Sequence, residues 1–433
     1  MTSFTIGLIG ICILLVLLLS GMPIGYVMGF VGFAGFAYIR GFDSALGILK
    51  IVPYRTFAEY GLSVVPLFIL MGSFCYFAGI SKDLYETVHK WLGHKRGGMA
   101  MATVGACAGF AAVSGSSLAT AATMGTVALP EMKRYGYDDR LATGAVAAGG
   151  TIGILIPPSV ALIIYGVITE QSIGKLFLAG FIPGILEAVF YLFTIDILCR
   201  LNPDMGPRGP RISFREKIAS FKNTWIVAAL FLLVIGGIYM GVFSPTEAAG
   251  VGAFGAFLFA LARKRLNWEA FKTSLITTGK TSAMIFIILL GAIILGYFLS
   301  VSRIPFQLAD SIGGLPVNRY FILIFILLLY VILGCVMDAL AIMLLVTPIF
   351  FPLATSLGFD PIWFGILIVR VSEIGMITPP VGINVFVIKG VAKDVPMSTI
   401  FRGIVPFLIA DICHVALLIV FPQLSLLLPN LMK

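Results

Sequence analysis

Two doubled prolines stand inside apolar runs: Pro157 and Pro158 in "TIGILIPPSV" (151–160), and Pro379 and Pro380 in "EIGMITPPVG" (373–382). Proline has no backbone N–H. Within a helix, Pro157 and Pro158 therefore free the carbonyls of Gly153 and Ile154, while Pro379 and Pro380 free those of Gly375 and Met376. A carbonyl orphaned in a dry interior costs on the order of 1–3 kcal/mol. Lipid cannot satisfy it, so both turns must line a polar cavity or coordinate something. A dehydrated hard cation suits such a site, because it takes several oxygen ligands, carbonyls included. The residue before a proline is driven toward an extended conformation, which predicts that Ile156 and Thr378 unwind the helix locally. Ser114, Ser116 and Ser117, in "VSGSSLA", could add hydroxyls to the same ligand set.

The elements that must hold these groups are membrane helices. Of 433 residues, 59% are hydrophobic and 11% charged, against roughly 25% charged in soluble domains. Stretches such as 6–19 and 321–333 are apolar on every face, which excludes the alternating pattern of a β-barrel. The fold class is an all-α polytopic membrane protein. Residues 1–5 carry no basic residue, so the first apolar run reads as a retained helix and not a signal peptide. Six cysteines are scattered singly, with neither metal-site nor disulfide spacing.

Overlaying residue n on residue n+222 brings the two Pro-Pro motifs into register, and a shift of 223 pairs Gly180 and Pro183 with Gly403 and Pro406. The chain reads as two homologous halves, 1–200 and 223–433, joined by a Pro-rich basic linker, 201–222. Apolar spans are expected at 4–20, 23–39, 62–79, 98–130, 140–168 and 175–199, with counterparts at 223–240, 246–262, 281–300, 319–352, 362–388 and 402–425. Residues 98–130 exceed what one helix needs to cross a ~30 Å core, and they carry a Gly/Ser break. A re-entrant hairpin fits better. In residues 97–126, 22 of 30 positions are Ala, Gly, Ser or Thr, a composition for close helix packing inside protein. Loops 80–97, 131–140, 200–222, 263–280 and 389–402 hold 21 of the 29 Lys and Arg, which makes that side cytoplasmic. The first hairpin then enters from the cytoplasm and the second from outside, so the repeats are inverted, with both termini periplasmic. Inverted repeats whose broken helices meet at mid-membrane are a signature of secondary transporters.

Arg370 and Glu373 lie one helical turn apart at a depth where charge is costly. They are expected to form an ion pair that steadies the unwound helix, with a substrate carboxylate as a further partner for Arg370. Glu187, Asp196, Glu247 and Asp411 are expected to be capped or paired. "GVGAFG" (250–255) matches a dinucleotide pattern but has no βαβ context, so its glycines, like Gly21, Gly25 and Gly29, should serve helix contact. An intramembrane hydrolase using Ser116 would need His414 as base and has no GxSxG elbow. Residues 82–94 suggest an amphipathic arm, with 303–315 as its counterpart. The net charge of +9 follows loop topology and indicates no nucleic acid.

The motifs "GMPIGYVMG", "AAVSGSSLATAATMGT", "GTIGILIPPSV", "FSPTEAA", "EIGMITPPVGINVF" and "RGIVPF" occur in order along the chain. Together they resemble the large membrane subunit of tripartite ATP-independent periplasmic (TRAP) transporters. The resemblance implies a sodium-driven importer of organic anions, carboxylates or acidic sugars, in a bacterial inner membrane. It also implies a soluble periplasmic binding protein and a small four-helix membrane subunit as partners, and an elevator motion of the hairpin core. Carried over, the first sodium site uses Ser114 and Ser117 with carbonyls at Gly153, Ile156 and Pro157. The second uses Gly334, Gly375, Thr378 and Val381. Substrate is expected near Ser116, Pro158, Asp338, Arg370, Pro379 and Pro380. The second tip, "LGCVMDA", lacks serines, so its site should lean on backbone carbonyls and Thr378. A stand-alone sodium-coupled carboxylate carrier is the alternative within transport.

Overall fold

The computed structural model describes residues 2–307 and 317–432, and within them the chain is helical with no strand. Most of the proposed counterpart arm, from residue 308 onward, lies outside the described residues. Among the described residues, seven helices are long and apolar enough to cross a membrane.

One group of helices forms a framework: Ser3–Leu19, Ile24–Arg40, Val64–Phe77, Phe214–Phe231, Pro245–Ala262 and Trp268–Ser302. Small residues set their spacing. Gly25 and Gly32 of Ile24–Arg40 lie so close to Trp268–Ser302 that an added Cβ would meet the backbone of Ile287 at 2.9 Å or of Leu295 at 2.6 Å. Gly29 faces Gly291, whereas Gly21 has open space and a φ of +84°, so it shapes a turn and not a helix contact. Gly252 serves Pro245–Ala262 similarly against Met71 and Gly255 against Leu230, whereas Gly250, expected to do the same, has open space.

The second group carries the broken elements. The first hairpin consists of Gly98–Ser114 and Ser117–Arg134, turning at Gly115 with φ +60°. The second consists of Arg319–Gly334 and Ala339–Ser356. The first broken helix runs Asp139–Thr151, tightens into a 3-10 turn at Ile152–Ile154, and resumes at Val160–Thr169. The second runs Pro361–Ile377 and resumes at Ile383–Val391. Both breaks fall at the doubled prolines, whose Pro–Pro bonds are cis. Thr378 is extended (φ −88°, ψ 137°), as the proline after it requires. Ile173–Leu201 and Met397–Val420 pack against these helices; Gly144 and Gly403 let backbones touch, an added Cβ at Gly144 meeting the Gly403 carbonyl oxygen at 2.3 Å.

The expected spans differ from the structure at four places, one being 402–425, where the helix Met397–Val420 ends and a separate helix, Gln423–Leu431, follows. Phe42–Phe57 is a helix with Asp43, Lys50 and Arg55 in it, charges that hid it from an apolar reading. The linker is shorter than 201–222, because helix begins at Phe214 with Ser213 as its cap. Trp268–Ser302 starts thirteen residues before the expected 281, its first turns being rich in Thr and Lys. The arm, Ile80–Leu92, donates from Thr87 and the Trp91 indole to the carbonyls of Ser220 and Lys217, and its Val88 and Leu84 seat Gly105 and Gly109 of the first hairpin.

Candidate functional site

The first hairpin tip sits directly on the first break. A Cβ on Gly153 would lie 3.1 Å from the Thr120 hydroxyl and 3.2 Å from the Ser116 carbonyl oxygen, and one on Gly115 would lie 2.6 Å from the Pro158 carbonyl oxygen. Ser116 caps the second hairpin helix, accepting from the Ala119 N–H at 3.4 Å. Thr120 Oγ1 donates to the Ser116 carbonyl at 2.7 Å and lies 2.9 Å from Ser114 Oγ. Since the single Thr120 proton is used on Ser116, Ser114 is the donor in the second contact. Ser117 Oγ donates to Glu373 Oε1 at 3.1 Å. Both serine protons are thereby held away, leaving oxygen lone pairs for an acceptor-seeking ligand such as a cation. Ser114, Ser117, Gly153, Ile156 and Pro157 are all buried. Thr120 was not anticipated; its spacing of four from Ser116 was the available signal.

At the second break, Gly334 and Gly375 are in backbone contact: a Cβ on Gly375 would meet Gly334 Cα at 2.5 Å. Cys335 ties the tip to the break by accepting from the Gly382 N–H at 3.1 Å on its carbonyl, while its thiol donates to the Val331 carbonyl at 3.3 Å and lies 3.5 Å from the Pro379 carbonyl. The Gly375 carbonyl is not orphaned as expected. The helix closes with a tighter turn in which Thr378 N–H donates to it at 3.0 Å, while the Thr378 hydroxyl donates to Ile374 at 2.6 Å. Thr378 and Val381 are half-buried, and Pro379 and Pro380 are exposed.

A cavity of about 520 Å³ opens between the two tips and the framework. Ser114, Ser116, Ser117 and Thr123 line it from the first hairpin, Asp338 from the second, and Ser73, Thr273, Thr277 and Thr281 from the framework. No Lys, Arg or His is among the lining residues, and Asp338 is the one carboxylate. Asp338 occupies the cap position of Ala339–Ser356 but its side chain makes no capping bond. Counting by the repeat of 222, it stands where Ser116 stands in the first half. The three threonines, spaced by four, form a polar stripe, two members of which, Thr273 and Thr277, precede the expected span 281–300.

The Arg370–Glu373 ion pair is not formed, and Arg370 does not line the cavity. The guanidinium is drawn instead to carboxylates on two neighbouring helices: Nη1 lies 3.2 Å from Glu187 Oε1, and Nη2 bonds Asp411 Oδ1. Its Nε donates to His414 Nδ1 at 3.2 Å and Nη2 to the Tyr191 hydroxyl at 3.3 Å. Thr151 extends the network to the first broken helix: its hydroxyl donates to the Ala148 carbonyl at 2.7 Å and lies 3.0 Å from Glu187 Oε1 and 3.1 Å from the Tyr191 hydroxyl. Every member is buried. Arg370 Nη1 makes no hydrogen bond among the described residues, but the guanidinium is buried against Glu187 and Asp411 and does not line the cavity, so it does not face a substrate carboxylate there. His414 is engaged there and does not line the cavity with Ser116. The other charges behave as expected: Asp196 pairs with Arg200 at 2.7 Å, and Glu247 completes a capping box with Ser244.

Comparison with known proteins gives the chain's family and fold relatives. A family model described as "Tripartite ATP-independent periplasmic transporter, DctM component" matches residues 11–424. A C4-dicarboxylate TRAP transporter large permease protein of Pseudomonas aeruginosa is 38% identical over 88% of this chain and 89% of its own. A sialic acid TRAP transporter large permease protein of Vibrio cholerae is 34% identical over 96% of each. The fold resembles that of the Alcanivorax borkumensis YdaH transporter, with a TM-score of 0.63 at 16% identity over 89% of this chain and 88% of that one. A multi-pass helical transport protein and not an enzyme, this chain belongs to the DctM-component family of tripartite ATP-independent periplasmic transporters.

Proposed function

We propose that the chain is the permease of a sodium-driven importer in a bacterial inner membrane, taking an organic anion from a periplasmic binding protein and working with a small four-helix membrane subunit. Relatives named for C4-dicarboxylates, sialic acid and isethionate all handle anions. The isethionate relative, from Oleidesulfovibrio alaskensis, is named DctMQ, and this chain covers 59% of it; the remaining length is consistent with a fused second subunit.

The observation that carries this reading is the charge of the cavity: an anion must enter a largely apolar space whose polar lining is hydroxyls and Asp338, with no basic side chain among the described residues. Two like charges about 4 Å apart repel by roughly 4 kcal/mol at an effective dielectric of 20. A co-bound cation removes that penalty and makes anion affinity depend on the cation. We assign the ion to the first tip, between the free lone pairs of Ser114 and Ser117 and the backbone at Gly153, Ile156 and Pro157. A second ion at Gly334, Thr378 and Val381 has to share the Gly375 carbonyl with an N–H, for which a carbonyl has a second lone pair.

The cavity runs from the tips toward Thr126, Phe77 and Thr273, next to the Lys- and Arg-rich loops. By the positive-inside rule this is an inward-facing form with both termini periplasmic. Two inverted halves allow the hairpins and broken helices to move as one body against the framework in an elevator cycle. The test is uptake by the chain reconstituted in liposomes with its small subunit and binding protein. An inward sodium gradient should drive accumulation of one member of a panel of dicarboxylates, aldonates, sulfonates and sialic acids. Equal uptake in potassium alone would refute sodium coupling.

A further inference from the structure

Three carboxylates are buried in the core, Glu187, Asp411 and Glu373, and Arg370 is the one buried Lys or Arg among the described residues. Glu187 and Asp411 hold its guanidinium. Glu373 does not share it, although it lies on the same helix one turn further on. Its Oε1 accepts from Ser117, its Oε2 has no hydrogen-bond partner among the described residues, and the side chain is 0% exposed. A buried carboxylate without a cation is costly unless a counter-charge arrives from elsewhere.

The neighbouring ligand set has the opposite deficit. Ser114 and Ser117 hydroxyls and the carbonyls of Gly153, Ile156 and Pro157 are all neutral, so a cation seated there lacks a formal counter-charge. Ser117 touches both systems: its proton points to Glu373 and its lone pairs remain free. We propose that Glu373, supplied by the second half of the chain, is the counter-charge for the monovalent cation at the first hairpin tip, acting through Ser117. This rests on the sodium reading above. Glu373 thus makes the first site a joint product of both halves, and Arg370 matters to it indirectly, because its charge is paired with Glu187 and Asp411 and not with Glu373.

The test is thermal unfolding of the purified full-length protein in detergent, titrated with sodium chloride against potassium chloride at constant ionic strength. A ligand that binds only the folded state raises the midpoint saturably. In the wild type, sodium should do so and potassium should not. In Glu373→Gln, the sodium needed for half of the shift should rise about tenfold or more, and the midpoint in potassium should equal or exceed that of the wild type, because an uncompensated buried charge has been removed. Glu373→Asp should fall between the two. An unchanged sodium curve in Glu373→Gln would overturn the assignment. So would a midpoint in potassium well below the wild type, which means that the protein itself balances the charge. Asp394→Asn, at an exposed pair far in sequence from the tip, should leave the sodium curve unchanged. If the wild type shows no sodium-specific shift, the sodium reading itself falls, and the role of Glu373 with it.

Discussion

The two helix breaks share a backbone device and differ in what surrounds it. At the first, residues 151–160 are buried throughout, and Ile173–Leu201 lies close enough over them that Gly180 and Gly184 are needed opposite Leu155 and Ile156. Its hairpin tip brings three serines and Thr120. At the second, Pro379 and Pro380 are exposed, the tip has Cys335 and Asp338 in place of serines, and the break is held by a glycine pair and by the Gly375–Thr378 turn. Doubled proline therefore specifies unwinding but not chemistry. On the reading proposed above, hydroxyl oxygens aimed by their neighbours suit the first break to a cation, while the second offers mainly backbone oxygens and presents a carboxylate to the cavity.

The largest effect that bears on this comparison should come from the network joining the two broken helices. Arg370→Gln strands Glu187 and Asp411 without a cation and should cost about 3–5 kcal/mol, the range for breaking a buried pair from one side. Thermal unfolding would show it, and adding Glu187→Gln and Asp411→Asn should recover most of the loss. A full-stability Arg370→Gln protein would mean that the network is not what holds the breaks together.

Glycine substitutions come next. Gly375→Ala forces backbone contact, its Cβ meeting Gly334 Cα at 2.5 Å and the Val331 carbonyl oxygen at 2.6 Å, whereas Gly153→Ala meets its neighbours only at 3.1–3.2 Å. The first should lose about 1–3 kcal/mol, as overpacking does, and the second clearly less. A reversed order in thermal midpoints would show that the first break is the tighter of the two.

Ser114→Ala should weaken sodium dependence about tenfold, the equivalent of roughly one charge-assisted contact, and Cys335→Ala at the second tip should leave it within about twofold. Similar shifts from both would erase the distinction between ion-holding and packing tips. The smallest effect is expected far from either. Lys133 holds the exposed Asp394 carboxyl below its usual range. Its contribution to stability is thus present at neutral pH and is lost as pH falls through that lowered value. Asp394→Asn should remove this pH dependence and nothing else, as read from unfolding midpoints between acidic and neutral pH.

Much of the fold was legible because proline, glycine and apolar runs act locally. The breaks, both hairpin turns and the small-residue faces follow from single residues and their neighbours. Phe42–Phe57 and the start of Trp268–Ser302 were not legible, because charges and threonines on a helix read as loop when only hydropathy is followed. At the site, the serines and Gly153 were foreseen from composition and proline arithmetic. The partner of Arg370 was not: Glu373 is adjacent in sequence, but Glu187 and Asp411 come from helices that only the tertiary packing brings alongside. Thr120 was missed for a related reason, since its role depends on which carbonyl its single proton reaches.

The central claim is that the first tip holds the coupling ion. Initial uptake rate against external sodium, in liposomes containing the complete transporter, tests it most directly when wild type is compared with Ser114→Ala/Ser117→Ala. The expected result is a saturable curve for wild type and, for the double variant, one moved to much higher sodium, with substrate KM restored once sodium saturates. Superimposable curves, or wild-type uptake undiminished when potassium replaces sodium, would contradict it.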